Sequence, residues 1–410
     1  MGGGAFIVEK ILKFMLTIYI ISLYVFNNAA INSTNYVSLV LFFVIFFIWI
    51  IDCIKKHRIH ISKYYIFYMI FIILGSISYL FALQKSYVIS KVIQLLMNSF
   101  IILIYTNYIN SEKKLDDVLN SFIIAGLILS LLMFFTSDFA NASKYNRIGS
   151  QIGNVNAISI CLCYSLSAIF IMNNKSKKKI NIFLIVLITI AILFTGSRKG
   201  ILIVILLTLF SYFIKNIDNL HKTAKNIIIS IIAVTLVFLL IMNVPFLYNM
   251  VGIRFISLFD FVTKGEIQDF SMMSRNNMIK VGIEWFKLRP FRGYGLDNFR
   301  FLYNKYFGYD YYAHNNYIEL LVDLGVIGVI VYYLFYMYIF KNLLSFKLHI
   351  NYKTCIFFSV SFILLIMDYA RVSFEDRILV IYMSIIFSYI KLYKNGGIKN
   401  EKSNSNNVDI

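Results

Sequence analysis

The sequence predicts an all-α protein, a polytopic transmembrane bundle of about twelve helices with one long, partly helical loop on its outer side. Three observations predict it. The 410 residues are 60% apolar and 17% aromatic with only two prolines, far from the usual soluble composition. Apolar windows of about 20 residues, enough to cross the hydrocarbon core as a helix, recur along the whole chain. The cationic residues are also segregated between alternate loops, as the positive-inside rule requires.

Twelve apolar cores are read in order at residues 11–27, 37–54, 64–84, 87–109, 118–137, 155–173, 181–196, 199–215, 226–243, 315–340, 354–370 and 377–393. Residues 1–243 thus carry spans one to nine, 244–314 a long extracytoplasmic loop, 315–394 spans ten to twelve, and 395–410 a polar, disordered cytoplasmic tail. With the N-terminus inside, 22 cations face the cytoplasm, among them Lys55, Lys56, Arg58, Lys113, Lys114, Lys175, Lys177, Lys178 and Lys179. The short outer loops hold seven: Lys85, Lys144, Arg147, Arg198, Lys199, Arg371 and Arg377. The net charge of +19 therefore marks topology with both termini cytoplasmic, and no nucleic-acid partner is expected. Cys53, Cys161, Cys163 and Cys355 fall in or at the ends of spans without metal-site spacing and are expected to be packing residues. The first apolar run has no small-residue cleavage site, so the first span is expected to be retained.

The long loop is too long to be a mere connection and is expected to have its own function. Within it, residues 275–288 read as a helix with Met278, Val281, Trp285 and Leu288 on one face, Ser274 as cap and Pro290 as terminator. Gly293 and Gly295 then mark a turn.

Three outward motifs carry chemistry. TGSRKG, residues 195–200, places Arg198 and Lys199 on the face that short loops keep free of cations. They suit an anionic ligand, because an arginine fork pairs with phosphate oxygens, or else they snorkel to headgroups from a helix end. The long loop adds Arg254, Arg275, Arg289, Arg292 and Arg300, of which Arg275 opens the expected helix. AHNNYIELLVDLGVIG, residues 313–328, contains His314, the sole outward histidine, at the start of span ten. The helix N-terminus and nearby arginines disfavour imidazolium there, leaving a neutral base or a capping residue. Glu319 and Asp323 sit five and nine residues further on, out of line with His314, and read as packing or orienting groups.

These segments together resemble the O-antigen ligase and polymerase superfamily over residues 145–330. His314, Asn315, Gly325 and Gly328 fit its His-Asn, Gly, Gly signature, and RIGSQIGNVNA (147–157), TGSRKG and SRNNMIKVGIEWFKLRPFRGYG (274–295) resemble its arginine, serine-arginine and Arg-Trp-Pro-Gly-Gly segments. The resemblance implies a GT-C-like membrane glycosyltransferase of the bacterial inner membrane, active on its outer face. It implies His314 as base, and Arg198, Arg275, Arg254, Arg147, Lys199 and Asn315 around an undecaprenyl diphosphate-linked oligosaccharide and an acceptor glycan. Membrane lipids surround the chain, and flippase and chain-length regulator proteins are admitted as partners.

No cofactor is expected, and no metal. The first outer loop, NAAINSTNY, lacks the carboxylate pair that metal-dependent multi-span glycosyltransferases place there, and Asp116 and Asp117 face the cytoplasm. A polymerase of surface-polysaccharide repeat units is the favoured function, with a ligase that transfers finished glycan to lipid or protein as the alternative. A transporter or flippase is disfavoured because mid-membrane charges are few, Lys91 and Asp323 being the exceptions.

Overall fold

A computed structural model describes residues 2–26, 35–140, 142–143, 147–172, 178–215, 220–264, 270–346 and 351–396. Lys144, Lys175, Lys177 and the tail from residue 397 lie outside the described residues. Among the described residues there is no strand. Nine helices come first: α1 (Gly2–Val25), α2 (Asn35–Lys56), α3 (Lys63–Ile77), α4 (Lys85–Tyr108), α5 (Glu112–Thr136), α6 (Val155–Met172), α7 (Lys178–Phe194), α8 (Arg198–Lys215) and α9 (Leu220–Asn243). The long connection follows as a single turn, α10 (Pro245–Leu247), a π turn at Tyr248–Gly252, then α11 (Ile253–Lys264), α12 (Phe270–Leu288) and α13 (Asn298–Phe307). The last three are α14 (Asn316–Ser345), α15 (Tyr352–Met367) and α16 (Arg377–Lys394).

Each of the twelve apolar cores coincides with one helix, but helices and spans are not the same count. Among the described residues six helices are long and apolar enough to cross a membrane, seven if Ile227–Asn243 and Pro245–Ser257, bent by 92°, form one span. Tyr352–Met367 has 16 residues, about 24 Å of helix against a hydrocarbon core of about 30 Å. Twelve is therefore the number of apolar helices, and six to seven the number that meets the length and composition of a span.

α16 is the hub. It packs on α4, α5, α14 and α3, and its side chains from Ile378 to Ile390 are buried all round, the pattern of a helix enclosed on every side. At the periphery, α2, α7 and α9 expose Phe43, Phe47, Ile182, Phe183, Ile231 and Leu240, which suits a lipid surround. The four cysteines are buried and form no disulfide among the described residues.

The loops sort to two ends. At one end Lys13 pairs with Asp117 at 2.7 Å, Lys114 with Glu9 at 3.0 Å and Lys353 with Glu112 at 2.6 Å. At the other, Gln84 N donates to Asn298 at 2.7 Å and Asn316 N to the Asp368 carbonyl at 2.7 Å, so the α3–α4, α13, α14 and α15–α16 segments meet. α12 starts at Phe270, so Ser274 lies inside the helix and is not its cap. Met278 and Trp285 pack with Phe299, Ile318 and Val322 as a small second core, but Leu288 in the last turn is 75% exposed and lies outside it.

α14 is interrupted at Gly325, whose φ of 67° and ψ of −166° are open only to glycine. The break frees backbone groups, and the loop after α12 takes them up: Val326 N donates to the Pro290 carbonyl at 2.9 Å, Tyr294 N to Val322 at 2.9 Å and Gly295 N to Asp323 at 2.8 Å. Gly293 and Gly325 permit this approach, since a Cβ on either would overlap backbone of the other segment. The two glycine-bearing motifs are thus halves of one joint.

Candidate active site

The joint fixes the segment that carries His314. Glu319 accepts from Ala313 N at 2.5 Å, and Asp323 accepts from Asp297 N at 2.6 Å and Phe299 N at 2.8 Å. Asn315, the next residue, caps α14 by accepting from Tyr317 N at 3.0 Å and Ile318 N at 3.1 Å. His314 is held between these anchors in the left-handed region at φ 54°, a conformation that a non-glycine residue adopts only when its surroundings impose it. Its ring lies 4.1 Å from that of Tyr312. Burial, then the charges of Arg275 and Lys199, push its pKa down to about 4, so the imidazole is neutral and able to accept a proton at ordinary pH.

His314 opens on a cavity of about 690 Å³ at this end of the bundle. Lys199, Arg275, Arg371 and Arg377 line it with positive charge, and Gln94, Asn154, Asn156, Tyr164 and Tyr312 with neutral polar groups. Its two carboxylates are already engaged. Glu375 is paired with Lys91, while Asp376 accepts from Arg371 at 3.0 Å and from Ile378 N at 2.9 Å at the start of α16. Lys91, one of the charges within a predicted span, lies only six residues into α4 and also meets Asp297 at 3.6 Å. Burial raises the Asp297 carboxyl to about 6, against the opposing pull of Lys91 and Arg300.

Of the residues marked in the sequence, the structure gathers Lys199, Arg275 and His314 around one space. Arg198, Arg254, Arg147 and Asn315 are not among the described residues that line it. Arg198 donates to the Arg254 carbonyl at 3.2 Å and meets the Met272 sulfur at 3.2 Å. Arg254 donates to Gly196 O at 3.0 Å, and Arg147 reaches Asn156 and the Thr195 carbonyl at 3.5 Å. These three arginines tie the turns at 147, 195–198 and 254 into one wall. The sequence reading missed Arg371, Arg377, Glu375 and Asp376. Two of them left a signal, being outer-loop cations, whereas Tyr164 and Lys91 look in sequence like span residues.

A cation-lined cavity with a neutral imidazole thus lies at one end of an apolar helix bundle, an arrangement whose chemistry suits an anionic ligand. Residues 183–333 match the Wzy_C family model, described as O-antigen ligase; the match runs from α7 into α14 and includes Lys199, Arg275 and His314. It supports the O-antigen ligase/polymerase superfamily and, with the apolar helices, a membrane glycan-handling function. No curated protein matches the chain.

Proposed function

We propose that this chain is a glycosyltransferase of the bacterial inner membrane that polymerises surface-polysaccharide repeat units from an undecaprenyl diphosphate-linked donor on the outer face. The observation that carries the reading is the cavity that unites His314 with Lys199 and Arg275. His314 takes the proton of an acceptor hydroxyl. The hydroxyl oxygen bonds to the anomeric carbon of the donor sugar as the bond from that carbon to the diphosphate breaks, and the electron pair departs with the polyprenyl diphosphate. The cations stabilise that departing charge in a site already organised for it, while Asn315, Glu319 and Asp323 keep the base in place.

Deleting the gene and resolving the surface glycan on a gel tests this. A ladder collapsed to one repeat unit supports a polymerase. Full-length glycan stranded on the carrier refutes it in favour of a ligase, and an unchanged glycan refutes both.

Arg275→Lys keeps the charge but loses the planar fork, so polymerisation in purified membranes should fall by about tenfold or more. Full activity in that variant would show that Arg275 does not grip the diphosphate. The reaction should also survive a strong chelator, because Glu375 and Asp376, the carboxylates in the cavity, are bound to Lys91 and Arg371. Activity lost to chelation and restored by magnesium or manganese would overturn this metal-free chemistry.

A further inference from the structure

The turn between α15 and α16 forms the wall of the cavity opposite the long connection, and its two arginines belong to no motif that marked the site. Arg371 is only 8% exposed, yet it lines the cavity. Its guanidinium is oriented by Asp376 at 3.0 Å and by the Tyr164 hydroxyl at 3.1 Å, and its Nε has no hydrogen-bond partner among the described residues. A buried arginine donor left unmatched is costly unless a ligand satisfies it. Arg377 stands at the first residue of α16, one position beyond the Asp376 cap, and lines the same space.

Lys199 Nζ donates to the carbonyl of Ala370, the residue before Arg371, so the turn that carries Arg371 touches the cation of the TGSRKG turn at the cavity. Glu375 is already paired with Lys91, so the lining that faces the space is net positive and suits the ionised phosphates of a sugar diphosphate ester.

From this geometry we infer that Arg371 and Arg377 form the second half of the diphosphate clamp: Arg275 and Lys199 hold the phosphate next to the reacting sugar, and Arg371 and Arg377 hold the phosphate on the polyprenyl side. This rests on the proposed carrier chemistry and deepens it. Arg371 is a positioning and binding residue here, placed by Tyr164 and Asp376 much as a ligand-binding arginine is placed by its supporting shell.

The two halves make a clear distinction between ligands. A polyprenyl diphosphate engages both pairs, and a polyprenyl monophosphate only one. Binding of undecaprenyl diphosphate and undecaprenyl monophosphate to the full-length protein in nanodiscs should show a preference for the diphosphate. Arg377→Gln and Arg371→Lys should each reduce that preference by about tenfold, the loss expected for a charge-assisted hydrogen bond. Arg371 is buried, so melting of each variant must first match the parent; if Arg371→Lys does not fold, Arg377→Gln, at the half-exposed position, decides alone. A folded Arg377→Gln protein with the parental preference overturns the clamp and leaves the carrier reading standing. A parent protein with no preference for the diphosphate overturns the carrier reading itself.

Discussion

Alanine at His314 is expected to lower turnover by about 10²- to 10⁴-fold, the range of a positioned general base. Binding of undecaprenyl diphosphate should stay near the parental level, because Arg275 and Lys199 remain in the cavity. The pH profile gives an independent reading. The imidazole, depressed to about 4, is base-competent above that pH and protonated as pH falls through it, so the parental rate drops on the acid side. That acid limb should vanish in the alanine variant. A variant inserted at normal levels that still transfers glycan at the parental rate would reduce His314 to a helix-start residue and send the proton elsewhere.

Gly325→Ala is expected to be as damaging, by a different route. The backbone there has a φ of 67°, and a Cβ would overlap the Phe291 carbonyl, so the α12–α14 joint cannot close around it. The cost should exceed about 3 kcal/mol, in the tail of single-residue effects, and little folded protein should reach the membrane. Gly308→Ala is the control: φ is 76°, but a Cβ would meet nothing within 4 Å, so only the backbone strain of about 1 kcal/mol remains. Equal melting temperatures for Gly325→Ala and the parent would remove the joint from the account of how His314 is held.

Much of the helical fold was readable because the signals are local. An apolar window becomes a helix whatever its neighbours do, and the twelve cores fall on twelve helices. What crosses the membrane depends on length and tilt in three dimensions, which is why Tyr352–Met367 is a helix without meeting the length of a span. The site was legible where residues sit against the charge rule or in a glycine-bearing motif: Lys199, Arg275 and His314. Arg198 carried the same signal as Lys199, yet it and Arg254 each donate to a backbone carbonyl, and sequence does not distinguish a cation that faces a ligand from one that holds a turn. Leu288 obeyed the helical period but is exposed, since periodicity alone cannot say which turns of a face a neighbour covers. Arg371 and Arg377 join the cavity only through the packing of the last two helices, a relation between segments more than forty residues from the nearest recognised motif residue, Gly328.

The break in α14 also acts as a ruler. From residue 326 to Ser345 the helix has 20 residues, about 30 Å, which is the thickness of the hydrocarbon layer. The nine residues before the break, with His314 just ahead of them, are left over beyond that length. On the proposed function, the carrier's tail stays in the hydrocarbon and its diphosphate meets the base beyond it, so the substrate is not lifted out of the bilayer. Moving Gly325 by one turn would shift the chemistry by about 5 Å along the membrane normal. On that proposal, the position of a single glycine sets the depth at which the reaction takes place.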